Sequence, residues 1–352
     1  MEGTRLGASL GASWEPSGIH TEIGFSYATE PGVWNFGSRF RKGWDRIALS
    51  AEYYDDIDVR YASDLYSQFS ASTLPLVGKD DYFDYLDTRR MRAGLEFRTS
   101  APDLSLRLQF SYERHRSIVK STDFSFFRDK IQRPNPRIDR GRLRSIGIRL
   151  AYDASRGPPA LFGQRKVWAQ IEHALGDTFS SDFDFTQLRL LAAWSLPTFY
   201  SRRIVPNTLD LRLTGSNSRG HLPRQRFSIL DISLDGWNNP GALRSLVTYP
   251  YEGEHALGFT WEHHFCTVPF ERLGLNALVR RSIGLTIYGG HGRTWISDAR
   301  LARPGDAPQF QDRFHHEVGI AVNGILGLFR ADFTQHLDRS DFVLGMGIAR
   351  LF

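Results

Sequence analysis

Glu262, His263 and His264 in one stretch, and His315, His316 and Glu317 in another, are the side chains best equipped for acid–base work or metal binding. A hydrolase would need a serine or aspartate poised beside such a histidine, and a zinc site would need several donors converging on one point. Neighbouring residues of an extended chain point to opposite faces, so neither His263–His264 nor His315–His316 can grip one ion by itself. Glu262 and His264, two apart, share a face and suit a hydrogen-bonded pair. No phosphate-binding loop or His-Glu-x-x-His occurs, and no nucleophile elbow is expected. Gly289-Gly290-His291-Gly292 lies in an extended run, where glycines serve bending or close packing better than phosphate binding. The single cysteine, Cys266, excludes an intrachain disulfide framework and any Cys-rich zinc centre. The expectation is no catalytic residue, no cofactor, no metal and no enzyme; a surface lipase is the enzymatic alternative.

The elements that must position these groups are strands. Leu104, Leu106, Leu108, Phe110 and Tyr112 alternate with Ser105, Arg107, Gln109, Ser111 and Glu113. That period of two sends alternate side chains to opposite faces of a sheet. The same pattern recurs around Leu49, Leu95, Ile148, Leu211 and Phe259, while helical spacing is nowhere sustained. Each run is about ten residues, the length a tilted strand needs to cross a bilayer, against about five or six in soluble proteins. At the C-terminus Phe342, Leu344, Met346 and Ile348 share one face, Val343, Gly345, Gly347 and Ala349 the other, and the chain stops on Phe352. In a soluble sandwich the bulky face would be core; in a membrane barrel it would meet lipid.

Chain organisation favours the barrel. Tight turns such as Glu15-Pro16-Ser17-Gly18 and Gly324-Ile325-Leu326-Gly327 alternate with long connections at 56–89, 116–142, 218–254 and 297–313. Short turns on one side and long loops on the other mark outer-membrane barrels. Trp34, Trp44, Tyr152, Trp194 and Trp295 lie near strand ends, where aromatic girdles or ordinary packing would place them. About fifteen strands are expected over residues 1–352, which make one barrel domain. An even total of about sixteen is usual, so one more strand is expected, either upstream of this chain behind an export signal or formed by residues whose alternation does not show it. No apolar run is long enough for a transmembrane helix. The formal charge of +5 is spread along the chain, which argues against nucleic acid as a partner. The basic segment Ile118 to Arg142 would either meet lipopolysaccharide phosphates or form a solvated loop.

His221 to Gly253 is too long for an idle hairpin. Its Leu222-Pro223-Arg224-Gln225-Arg226-Phe227, Gly241-Ala242-Leu243-Arg244-Ser245-Leu246 and Tyr249-Pro250-Tyr251-Glu252-Gly253, followed by Leu257, Phe259, Trp261 and Glu262, resemble the C-terminal barrel of the BamA/TamA superfamily, the bacterial surface antigen family. The resemblance covers mainly residues 208–352. It implies that segment 218–254 folds into the lumen, with Leu243-Arg244-Ser245-Leu246 as its tip in charge contact with the wall. The tip lacks the family's glycine and aromatic, and Tyr288 to Trp295 has glycine where the family's carboxylate stands. Glu262, His264 and His291 are therefore the candidate lumen partners. Arg244 is either held there by an ionised partner or left as a solvated loop arginine. By resemblance, the protein would insert or translocate polypeptide or envelope cargo at the bacterial outer membrane, among lipid and lipopolysaccharide. Its seam would involve Phe342, Gly345, Gly347 and Phe352. The alternative is a passive or substrate-specific pore plugged by the loop.

Overall fold

A computed structural model describes residues 5–29, 32–60, 65–66, 81–99, 103–119, 133–155, 163–176, 180–200, 206–234, 236–246, 250–301 and 308–349. The alternating runs form β1 (Arg5–Trp14), β2 (Ile19–Ala28), β3 (Val33–Gly43), β4 (Ile47–Val59) and β5 (Tyr85–Arg98). They continue as β6 (Leu104–Ser117), β7 (Gly141–Asp153), β8 (Arg165–Ala174), β9 (Phe185–Pro197) and β10 (Thr208–Gly220). The long loop carries three two-residue strands, β11 (Ser228–Ile229), β12 (Trp237–Asn238) and β13 (Glu252–Gly253). Five more complete the wall: β14 (His255–Cys266), β15 (Gly284–Trp295), β16 (His315–Ile325), β17 (Phe329–His336) and β18 (Phe342–Ile348).

Every wall strand pairs antiparallel with the next, β10 passing directly to β14, and the hydrogen-bonding order ends on β18 and then β12. The count of fifteen wall strands agrees with the alternation pattern, and the sixteenth place in the sheet is taken by part of the loop. Two bounds differ from expectation. Strands β4 and β5 run on to Val59 and back to Tyr85, so the connection between them is 60–84. The turn from β14 to β15 contains two short helices, α1 (Val268–Arg272) and α2 (Asn276–Arg280), which delay β15 to Gly284. A third, α3 (Asp298–Leu301), follows β15. The expected basic segment at Ile118–Arg142 falls largely on 120–132, and Phe352 on 350–352, both outside the described residues.

The faces settle which half of each strand is greasy on the outside. Leu106, Leu108, Phe110, Ile146, Ile148 and Leu150 are exposed, as are Phe342, Leu344, Met346 and Ile348. Buried positions on the same strands are Ser111, Glu113, Ser145 and the small Gly347. This is a membrane-type barrel pattern, apolar outward and ionic inward, the reverse of a water-soluble sandwich. Tyr152 stacks on Trp194 at 6.0 Å, and Lys42 lies 5.1 Å over the exposed Trp44. Leu108→Arg should lower unfolding stability in phospholipid vesicles by ~2–4 kcal/mol. The inward-facing Gln109→Arg should change it by less than half as much; equal effects in urea titrations would mean that the outward face does not meet lipid.

Candidate functional site

The loop from His221 to Gly253 returns to the inner wall at two places. Near its start Arg226 bonds Glu113 of β6 at 2.8 Å and pairs with Glu172 of β8 at 3.3 Å. Arg224 bonds Glu252 at 2.5 Å, and Arg60 joins Glu252 and Asp84, so the loop's two ends are clamped together. Its tip then crosses to the C-terminal strands. Ala242, Leu243, Arg244 and Leu246 are buried there, with Arg244 only 2% exposed.

Alternation decides what meets the tip. Even-numbered residues of β14, β15 and β17 and odd-numbered residues of β16 face inward. The register aligns Glu262 with Tyr288, Tyr288 with Gly319, and Gly319 with Thr334. Gly319 leaves the Tyr288 ring free to lie across β16, and Tyr288 Oη bonds Thr334 Oγ1 at 2.6 Å. The Arg244 guanidinium stacks 3.7 Å over that ring, a cation–π contact. Gly290 and Gly292 sit beneath Leu243 and Leu230, where any β-carbon would collide.

Four charges close a cycle around this shelf. Arg244 bonds Glu262 Oε1, Arg330 Nη1 bonds Glu262 Oε2 at 2.6 Å, Arg330 Nε bonds Asp332 Oδ1 at 2.8 Å, and Arg244 Nε lies 3.3 Å from the same oxygen. Two guanidiniums and two carboxylates balance one another out of water. Burial alone would lower the Arg244 pKa, but Glu262 and Asp332 more than offset it and hold the group above its ordinary value. Glu317 receives the backbone N–H groups of Arg244 and Ser245, both at 2.8 Å, and the Ser245 hydroxyl at 2.7 Å. The tip is thus held by its side chain and by its backbone.

The structure brings Leu243, Arg244, Ser245 and Leu246 together with Glu262. His264 lies 3.8 Å from Glu262, 3.3 Å from Asp210, and bonds Thr286 at 3.0 Å. His291 is a correction. As an odd member of β15 it faces outward, stacks on Phe259 and bonds His316 at 2.7 Å, so it is no lumen partner of the tip. β15 itself has no carboxylate, and the tip is met from both sides, by Glu262 on β14 and by Glu317 and Asp332 on β16 and β17. Glu317 stands out in the sequence only as a candidate for acid–base work and not as a partner of the tip, and nothing there singles out Asp332, Arg330 or Tyr288, although the alternation gives the inward parity of all four.

His315, His336 and Asp338 bring donor atoms within 4.8 Å of one another. Asp338 N–H donates to His336 Nδ1 at 3.1 Å, leaving its Nε2–H for His315 Nδ1 at 3.0 Å, and His315 Nε2–H for Glu317 at 3.0 Å. That proton chain satisfies both rings, and an ion would have to break it. Gly7-Ala8-Ser9-Leu10-Gly11 does spell the Gly-x-Ser-x-Gly pattern. It lies inside β1, paired residue by residue with β2, and lacks the strand-to-helix turn that a nucleophile elbow requires.

No protein-family model and no curated protein sequence matches the chain. Among solved structures, BamA from Haemophilus ducreyi lacking POTRA domains 1–3 aligns with 97% of this chain and 69% of its own length, with a TM-score of 0.54 at 12% identity. The chain has the BamA fold. CdiB from Acinetobacter baumannii aligns with 97% of this chain at a TM-score of 0.49 and 11% identity, and the chain spans 55% of its length. In this BamA-type barrel, truncating Arg244 or Glu262 to alanine should each cost ~3–5 kcal/mol, because each leaves buried charge uncompensated. The double variant should show a coupling of ~0.5–3 kcal/mol in urea unfolding in lipid vesicles. Zero coupling would return Arg244 to a solvated role. Gly319→Ala should expel the Tyr288 ring from its shelf and cost ~1–3 kcal/mol by the same measurement.

Proposed function

We propose that this chain is an integral outer-membrane barrel that inserts or translocates polypeptides or envelope components, by opening the seam between its first and last strands. The observation that carries the reading is the sheet order. Among the described residues the outer edge of β18 meets only the two-residue loop strand β12, which leaves most of that edge without a strand partner. Unpaired backbone groups at a sheet edge are a template for another strand. The wall on either side of the seam is greasy outward, with Leu6, Leu10 and Trp14 on β1 and Leu344 and Met346 on β18 all exposed. An incoming amphipathic strand would therefore pass from the edge into lipid with its apolar face already turned to hydrocarbon. Lipid and lipopolysaccharide are the surroundings, and soluble periplasmic modules ahead of the barrel would deliver the cargo.

The competing reading is a pore. It is favoured by a cavity of about 460 Å³ between the loop and the wall, lined by Arg90, Arg92, Arg107, Glu113 and Arg189. Purified protein in liposomes should speed the folding of a urea-denatured small outer-membrane barrel at least tenfold over empty liposomes, read by heat-modifiable gel migration. No acceleration, together with a large stable single-channel current in planar bilayers that grows when residues 221–253 are deleted, would replace the insertion reading with the pore.

A further inference from the structure

The seam edge of β18 is already occupied. β12 runs parallel to it, with Trp237 aligned to Met346 and Asn238 to Gly347, and Met346 N–H donates to Gly236 O at 2.7 Å. On the other side β18 holds β17 through seven aligned pairs, Phe329 with Ile348 to Gln335 with Phe342. We propose that Gly236–Asn238 is a built-in cap on the last strand, which an amphipathic strand of an incoming polypeptide must displace before it can pair with β18. This rests on the reading that the seam receives polypeptide, and it adds how the edge is kept closed until then.

Three features make the segment a cap and not a chance contact. The first is room made for it. A β-carbon at Gly345 would overlap the Asn238 side chain, and one at Gly347 would overlap the Asn238 carbonyl oxygen. The nearest neighbour of both glycines is the cap itself. A second feature is shape. Leu234 and Trp237 exchange two backbone hydrogen bonds of 3.0 Å, and Gly236 takes a φ of 80°, so a tight turn presents the cap to the edge. The third is a shared anchor. Asn238, 2% exposed, donates through Nδ2 to Asp332 Oδ2 at 3.1 Å, while Asp332 Oδ1 takes Arg330 and Arg244. One carboxylate therefore fastens both the loop tip and the cap, and withdrawing either loosens the other. Two aligned pairs are few, and a strand that pairs along the whole of β18 replaces them with more hydrogen bonds of the same kind.

The test uses the full chain in liposomes with Cys266→Ser as background. Trp237→Cys with Met346→Cys places two thiols on aligned residues, within reach of a disulfide when oxidised. The probe is a synthetic twelve-residue peptide alternating leucine or phenylalanine with serine or glycine, carrying a fluorophore. Reduced protein should bind it at least tenfold more tightly than the disulfide-locked form, and Asn238→Ala should bind it several-fold more tightly than the parent. In Trp237→Cys alone, the peptide should speed labelling by a soluble maleimide at least tenfold. Equal peptide binding by locked and reduced protein, both folded by heat-modifiable migration, overturns the cap, as does a labelling rate that ignores the peptide. Failure of the wild-type protein to speed barrel folding overturns the insertion reading instead, and the peptide measurements then still decide the cap.

Discussion

Two guanidiniums and two carboxylates held out of water in one closed cycle are the constraint around which the C-terminal half is organised. A lone arginine at the position of Arg244 would be intolerable, since burying an unpaired charge costs several kcal/mol. Glu262 alone would leave two guanidiniums to share one carboxylate, and Asp332 alone would leave Arg244 without its shortest bond. The cycle works because alternation brings inward-facing residues of β14 and β17 to opposite sides of one shelf, and because Tyr288 spans the strand between them. A lysine would not substitute, for a point charge cannot meet Glu262, lie 3.3 Å from Asp332 and stack flat on a ring at once.

From that cycle the loop's path follows. Its opening residues answer to carboxylates of β6 and β8 through Arg226, and its tip to carboxylates of β14, β16 and β17 through Arg244 and Ser245. The segment is pinned at both ends to different parts of the wall. Between the two pins lie Leu230, Ile232, Leu234 and Leu243, all buried, which pack with Tyr66 and Phe83 into an apolar patch among the buried charges of the interior. Ile57 of β4 and Tyr85 of β5 belong to the same patch, so it fastens the middle of the loop to the wall as the ion pairs fasten its ends.

Much of this was legible because strands declare themselves by parity. The run Leu104 to Glu113 gave the strand, its length and its two faces at once, and the bulky face of Phe342 to Ile348 gave the lipid side. Glu262 was accessible to the same reasoning, being inward by alternation and close to the tip in chain order. What parity cannot supply is which strands stand opposite a loop tip. Glu317 and Asp332 reach Arg244 only because antiparallel register lays β16 and β17 beside β15, a long-range pairing with no local signature. His291 misled for a related reason. Its glycine neighbours marked the right strand, but Gly290 and Gly292 face the lumen and the residue between them must face out. Gly345 and Gly347 were legible as small inward residues, yet only the path of the loop reveals what they make room for.

Under the proposed function the sheet opens at its seam, and that requirement sets up a conflict. A long unpaired edge invites wrong partners, and a fully paired one cannot be opened without losing a strand's worth of hydrogen bonds. Borrowing two residues from a loop resolves it, because the edge is covered by a pairing short enough to exchange. Asp332 turns that local device into a linked one. Its two oxygens divide between Asn238 on one side and the guanidiniums of Arg330 and Arg244 on the other, so the cap is held by a residue whose remaining partners belong to the loop tip. Charge balance in the lumen and hydrogen bonding at the seam are then one equilibrium, and whatever shifts the tip shifts the edge.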